Sequence, residues 1–167
     1  MELIAVDSNW KDTDLRIEFQ IGNLCNYKCW YCFPGSNEGT HRFPNFDITV
    51  KNLTHVLRHY KSQGKKRFFL HLIGGEPTLW PKLGEFAELM SKEGCEISIS
   101  TNGSRTLRWW KEYGKYFSKV ILSCHHQEMD LAHSIAVADI LYESGCIVDA
   151  SVLMDPNAWD KCVGIVK

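Results

Sequence analysis

The chain has 167 residues, 44% of them hydrophobic, and a formal net charge of −1. That length and apolar content allow one domain with a real core and exclude an intrinsically disordered chain. No basic run exceeds Lys65-Lys66-Arg67, no apolar run is long enough to span a membrane, and the start carries no signal-peptide pattern, so a cytoplasmic protein is expected.

The first expected strand, 15–21, alternates Leu15, Ile17, Phe19 and Ile21 with Arg16, Glu18 and Gln20. Directly after it comes IGNLCNYKCWYCFPG, residues 21–35, with Cys25, Cys29 and Cys32 inside eight residues. A helix is expected over 47–63, with Asp47 as its N-cap and Gly64 as its stop. His55 and His59 are four apart on it but fall opposite the apolar face of Leu53, Val56, Leu57 and Tyr60, so they read as a solvated pair. The strand over 67–73 runs into HLIGGEPTLW, residues 71–80. There Gly74 and Gly75 remove Cβ atoms where backbone can approach a ligand, and Glu76 adds a carboxylate at the same strand end. The pattern is no phosphate fingerprint, and the carboxylate suits a cationic ligand.

A helix over 81–93 begins at Pro81, and a strand over 95–101 ends in STNGS. The next helix, 104–116, carries Trp109-Trp110, one expected in the core and the other as a contact surface. A strand over 119–124 ends in ILSCHHQ, followed by a helix over 129–144 and a strand over 147–154. The stretches MSKEGCEISIS and LYESGCIVDAS both read as helix, Gly-Cys, strand, a weak internal repeat. The closing DPNAWDKCVGIVK reads as the first turns of a fifth helix, with Cys162 a small apolar residue in it.

Strands alternating with helices imply βαβ units and a parallel sheet, open or curled into a barrel. Parallel strands dry on both faces read as continuous apolar runs, whereas here the first, third and fifth strands alternate. The apolar set is expected against the helices and the polar set along an interior that admits a ligand.

Seven cysteines, an odd number in a cytoplasmic chain, argue against a disulfide framework. A structural zinc site wants four ligands in closed geometry, and a four-cysteine iron–sulfur centre wants a fourth thiol nearby. Cys95 and Cys146 open their strands, at the far end of a parallel sheet from the triplet. Cys124 is the one geometric candidate for a fourth ligand. The favoured reading is a cluster with three protein-bound irons and one iron left open. Two alternatives stand beside it: a non-catalytic domain holding zinc or iron through the three thiols plus Cys124 or His41, and an inactive fragment.

CNYKCWYC followed by a strand-ending GGEP resembles the radical S-adenosylmethionine (radical SAM) superfamily, and STNGS fits the same pattern. The resemblance runs from about Leu15 to the C-terminus. It implies an α/β fold, a parallel β/α partial TIM-type barrel of about five βα units with the last unit or units missing. The division implied is an N-terminal extension, 1–14, and a core domain, 15–167, incomplete at its C-terminus. Cys25, Cys29 and Cys32 would ligate a [4Fe-4S] cluster whose open iron chelates S-adenosylmethionine. Tyr31 would lie near the adenine, and Gly74, Gly75 and Glu76 would bind the methionine amino group. Ser123 or His125 would lie near the ribose or carboxylate, although SCHHQ departs from the commoner Ser-x-Asp; Asn102 is a further candidate. The activity implied is reductive cleavage to a 5′-deoxyadenosyl radical that abstracts hydrogen from a substrate, with peptides or proteins among the substrate classes. A one-electron donor of flavodoxin or ferredoxin type is the implied partner, and the segment 33–46 would cover the cluster.

Overall fold

The computed structural model describes residues 11–166, so most of the expected N-terminal extension lies outside the described residues. Five strands form one sheet: β1 (Asp14–Gln20), β2 (Arg67–Ile73), β3 (Cys95–Thr101), β4 (Lys119–Cys124) and β5 (Ile147–Val152). They lie in chain order and every neighbouring pair is parallel. The helices α1 (Phe46–Ser62), α2 (Leu83–Lys92), α3 (Leu107–Tyr113) and α4 (Leu131–Glu143) connect successive strands, and α5 (Trp159–Val166) follows β5. Each crossover steps one strand in the same direction. Right-handed connections of that kind put all the helices on one face and leave the other open, the topology of a partial β/α barrel.

The alternation in the strands sorts the two faces. Phe68, Leu70 and Leu72 of β2, Ile97 and Ile99 of β3, and Val120 and Leu122 of β4 are buried against Leu57, Leu83, Phe86, Met90, Trp110, Val137 and Leu141 of the helices. The intervening residues face the open side. There His71 Nδ1 meets Ser98 Oγ at 2.8 Å, Ser100 Oγ meets His71 Nε2 at 3.3 Å, and Lys119 pairs with Asp149 at 2.5 Å. The open face is therefore partly polar, as the alternation predicts, with Phe69 and Ile121 among its polar side chains.

Several boundaries differ from expectation. The N-cap of α1 is Asn45, whose side chain accepts from Ile48 N–H; Asp47 sits in the first turn, where its charge favours the helix dipole. Pro81 precedes α2, which starts at Leu83 after a 3-10 turn at Pro77–Leu79. Thr106 caps α3 and shortens it at its start, and a 3-10 turn, Gly114–Tyr116, closes it. β5 ends at Val152, two residues early. Gly64 does follow α1 at φ 91°, and the two Gly-Cys repeats match: Gly94 and Gly145 adopt φ 90° and 83°, each before a buried cysteine, Cys95 starting β3 and Cys146 standing one residue ahead of β5.

Trp110 is fully buried and donates from Nε1 to Gly103 O. Trp109 packs edge-on against it at 4.8 Å and lies under the Arg105 guanidinium, so the chain itself covers the second indole. No described helix is long and apolar enough to cross a membrane.

Candidate cofactor site

Parallel strands bring all their C-terminal ends to one rim, where sites of α/β folds are built. The loop after β1 carries the three thiols. Asn23, buried at its base, staples it: Nδ2 donates to Gly35 O and Thr40 Oγ1 at 2.6 and 2.8 Å, and Oδ1 accepts from His41 N–H at 2.7 Å. The loop is thereby folded back over residues 23–41. Phe33, Ser36 and Asn37 of the expected cover line a cavity of about 260 Å3 together with Cys25, Cys29 and Cys32.

Gly74 and Gly75 line the same cavity, but their tight approach is to the chain's own backbone. A Cβ on Gly75 would sit 2.4 Å from Leu24 O, and one on Gly74 2.8 Å from Ile21 O. In their absence Gly75 N–H donates to Gly22 O at 3.3 Å and Glu76 N–H to Leu24 O at 2.8 Å. The glycines dock the cysteine loop against the end of β2, where the sequence alone suggests close approach to a ligand.

Glu76 is 1% exposed and its carboxylate is largely engaged within the protein. Oε1 accepts from Thr78 N–H, Thr78 Oγ1 and Thr101 Oγ1 at 3.0, 2.5 and 2.6 Å, and Oε2 accepts from Asn102 N–H at 2.7 Å. Burial pushes its pKa above the usual carboxylate value, and these four bonds pull it back. Only Oε2 keeps capacity for a further donor such as an ammonium. Asn102 is likewise engaged: Nδ2 donates to Asn26 Oδ1 at 3.0 Å and Oδ1 accepts from Ser104 N–H at 3.0 Å. Both residues bind β2 and β3 to the cysteine loop.

Ser123 and His125, from the end of β4, also line the cavity. The Ser123 hydroxyl makes no hydrogen bond among the described residues and is free for a ligand. His125 Nδ1 lies 3.2 Å from the Tyr31 hydroxyl, which leaves Nε2 available. Burial, with His126 adding to it, lowers the His125 pKa, so the ring is neutral near neutral pH. Tyr31 stacks on His125 at 5.9 Å and 17°, and burial holds its phenol protonated. Burial also raises the thiols of Cys25 and Cys29, while Tyr27 N–H donates to Cys25 Sγ at 3.4 Å. A metal centre must displace those protons.

The other cysteines stand apart. Cys124 is buried on the helix-packed face of β4 and its Sγ donates to Leu122 O, so the expected fourth-ligand candidate points away from the cavity. Cys95 opens β3 and Cys146 precedes β5 by one residue, both at the far end of the sheet, and burial pushes both thiols up to about 11. His41 lines a separate, more open cleft. Among the described residues no three His, Cys, Asp or Glu side chains are grouped for a single metal ion. Three thiols of one short loop on one cavity wall, beside free hydroxyl and imidazole groups, fit a metal cluster that takes one thiolate per metal atom and an organic cofactor next to it.

A family model of the Radical SAM superfamily matches residues 19–144, more than half of the chain, from the end of β1 through α4. The chain belongs to the radical SAM superfamily. Members of this superfamily are enzymes that use a [4Fe-4S] cluster and S-adenosylmethionine. Among curated proteins, the GTP 3',8-cyclase of Haemophilus influenzae strain PittEE is 31% identical over 103 residues, which cover 59% of this chain and 30% of that protein. The GTP 3',8-cyclase of Pasteurella multocida strain Pm70 is 27% identical over the same length. The chain spans about 30% of the length of these curated relatives. Among solved structures, TYW1 with a lysine-pyruvate adduct bound superposes with a TM-score of 0.50 at 12% identity, over 75% of this chain and 50% of that one. That likeness is one of fold, and it agrees with the partial barrel.

The sequence reading missed Asn23, Asn26 and Thr101, which hold the radical SAM loop in place. Their signal was faint: a buried Asn two residues before the first cysteine, and a Thr-Asn-Gly strand end read only for Asn102.

Proposed function

We propose that this chain binds a [4Fe-4S] cluster through Cys25, Cys29 and Cys32, holds S-adenosylmethionine in the adjoining cavity and uses it for radical hydrogen abstraction. The observation that supports the reading is the single cavity shared by the three thiols, the Gly74-Gly75-Glu76 strand end, Ser123 and His125. When bound, the cluster supplies one electron to S-adenosylmethionine, whose cleavage yields the hydrogen-abstracting 5′-deoxyadenosyl group. The chain's own residues do the rest. Cys25 and Cys29 give up their protons on binding. Glu76 and Asn102 hold the thiol loop to β2 and β3. The Ser123 hydroxyl and His125 Nε2 meet polar groups of the cofactor, and Glu76 Oε2 accepts from its ammonium. Tyr27 and Tyr31, both half-buried, wall the cavity against water.

A one-electron donor of flavodoxin or ferredoxin type completes the reading, and a cytoplasmic location accompanies it. The polar open face around His71 and Ser98 would receive the substrate. GTP enters the substrate screen on the strength of the relatives, beside the peptides and proteins suggested by the sequence.

The test is anaerobic reconstitution with iron and sulfide, reduction with dithionite, addition of S-adenosylmethionine and assay for 5′-deoxyadenosine. Its formation is expected. A loaded cluster without cleavage restricts the reading to cofactor binding, and failure to assemble any cluster overturns it.

A further inference from the structure

His126 and Asp155 form a buried pair that the cofactor reading does not use. His126 Nε2 lies 3.4 Å from Asp155 Oδ2, and the two side chains are 5% and 4% exposed. The pair links the loop after β4 to the turn after β5. His126 Nδ1 is buried with no hydrogen-bond partner among the described residues. A buried pair with one orphaned nitrogen is a poor source of stability, so its position calls for another explanation.

Both ends of the pair are anchored. Asp155 Oδ1 caps the turn before α5 by accepting from Asn157 N–H at 2.9 Å, and Asp155 N–H donates to Cys162 Sγ at 3.5 Å. On the other side the His126 ring stacks on Tyr31 at 6.2 Å and 26°, beside the His125 ring that stacks on the same phenol. Tyr31 stands between Cys29 and Cys32. A continuous path therefore runs from the start of α5 through Asp155, His126 and Tyr31 into the cysteine loop, and Leu153, two residues before Asp155, lines the cavity.

We propose that the His126–Asp155 pair is a positioning device by which the segment after β5 holds Tyr31, and with it the cysteine loop, in the shape that receives the cofactors. Neither His126 nor Asp155 lines the cavity beside the three loop thiols, and the pair acts on that loop through Tyr31, which does. The link to cofactor binding rests on the function proposed above; the brace on the loop does not.

The experiment separates the two. Asp155→Ser keeps a short side-chain acceptor for Asn157 N–H but cannot reach His126, and His126→Phe keeps a ring against Tyr31 while removing the link. Amide hydrogen exchange over residues 25–35 is measured by mass spectrometry on the metal-free chain, with thermal unfolding as the check on global fold. Asp155→Ser is expected to speed exchange in that loop about tenfold with little change in the core strands. His126→Phe is expected to do the same, and the double variant no more than either alone, because one path is cut once. Unchanged loop exchange in Asp155→Ser, additive effects, or a uniform rise across the sheet overturns the brace. Binding of S-adenosylmethionine to the reconstituted parent chain is measured separately. Its absence overturns the cofactor reading while leaving the exchange result to decide the brace.

Discussion

Glu76 Oε2 accepts a 2.7 Å hydrogen bond from Asn102 N–H and so ties the end of β2 to the end of β3, while the Asn102 side chain continues to Asn26 of the cysteine loop. A carboxylate in this position is first a structural knot and only then, through the capacity left on Oε2, a partner for an ammonium. Removing it exposes the difference.

Glu76→Ala leaves four donors without their acceptor in a buried site, and an apolar Ala cannot replace them. The metal-free variant is expected to lose about 2–4 kcal/mol of stability in a urea titration. Glu76→Gln keeps an oxygen for the Thr78 and Thr101 donors but turns an amide donor toward Asn102 N–H, so it should lose less. A stability change below about 0.5 kcal/mol in Glu76→Ala would mean that the carboxylate serves the ligand alone.

Gly75→Ala tests the docking of the loop. Its Cβ would meet the Leu24 carbonyl oxygen at 2.4 Å, and that atom is backbone, so one of two chain segments must move. The expected cost is about 1–3 kcal/mol. Iron retained after desalting should fall with it, because the displaced segment carries Cys25. Full iron retention and an unchanged melting temperature would show that the loop has freedom the packing denies.

The cysteines divide sharply. Cys29→Ala is expected to abolish the visible absorption of a reconstituted cluster, since each metal atom but one depends on its own thiolate. Cys124→Ala, on the core face of β4, should leave iron and sulfide content unchanged and cost about 1–2 kcal/mol for the small cavity it leaves. Loss of the cluster in Cys124→Ala would return a four-ligand site to consideration.

What could be read from the sequence was local. The cysteine spacing lies within one loop, and the strand alternation within single strands, so motif and sheet faces were both visible. The cap of α1 was missed by two residues because Asn45 and Asp47 are both good caps, and only the reach to Ile48 N–H decides between them. Long-range pairing was not visible. The Thr101 hydroxyl that binds Glu76 stands 25 residues away, and Asp155 follows its partner His126 only after an entire helix and strand. GGEP identifies the strand end, but nothing in those four letters says that the glycines face Leu24 and Ile21.

His71 gives a pH dependence with a definite sign. Burial lowers its pKa below the usual 6.5, with Arg16 adding to the effect and Glu18 opposing it. The folded chain thus favours the neutral ring, and between the folded pKa and 6.5 the unfolded chain binds more protons. This contribution to stability is complete above 6.5 and is lost as pH falls through that window. His125, lowered by burial and by His126, acts in the same sense. The urea midpoint of the metal-free chain is expected to drop between about pH 7 and about pH 5.5, and His71→Gln, which cannot titrate, should show a shallower drop. Parallel curves for the two proteins would mean that the His71 ring, with Ser98 and Ser100 on its two nitrogens, protonates in the folded chain as readily as in the unfolded one.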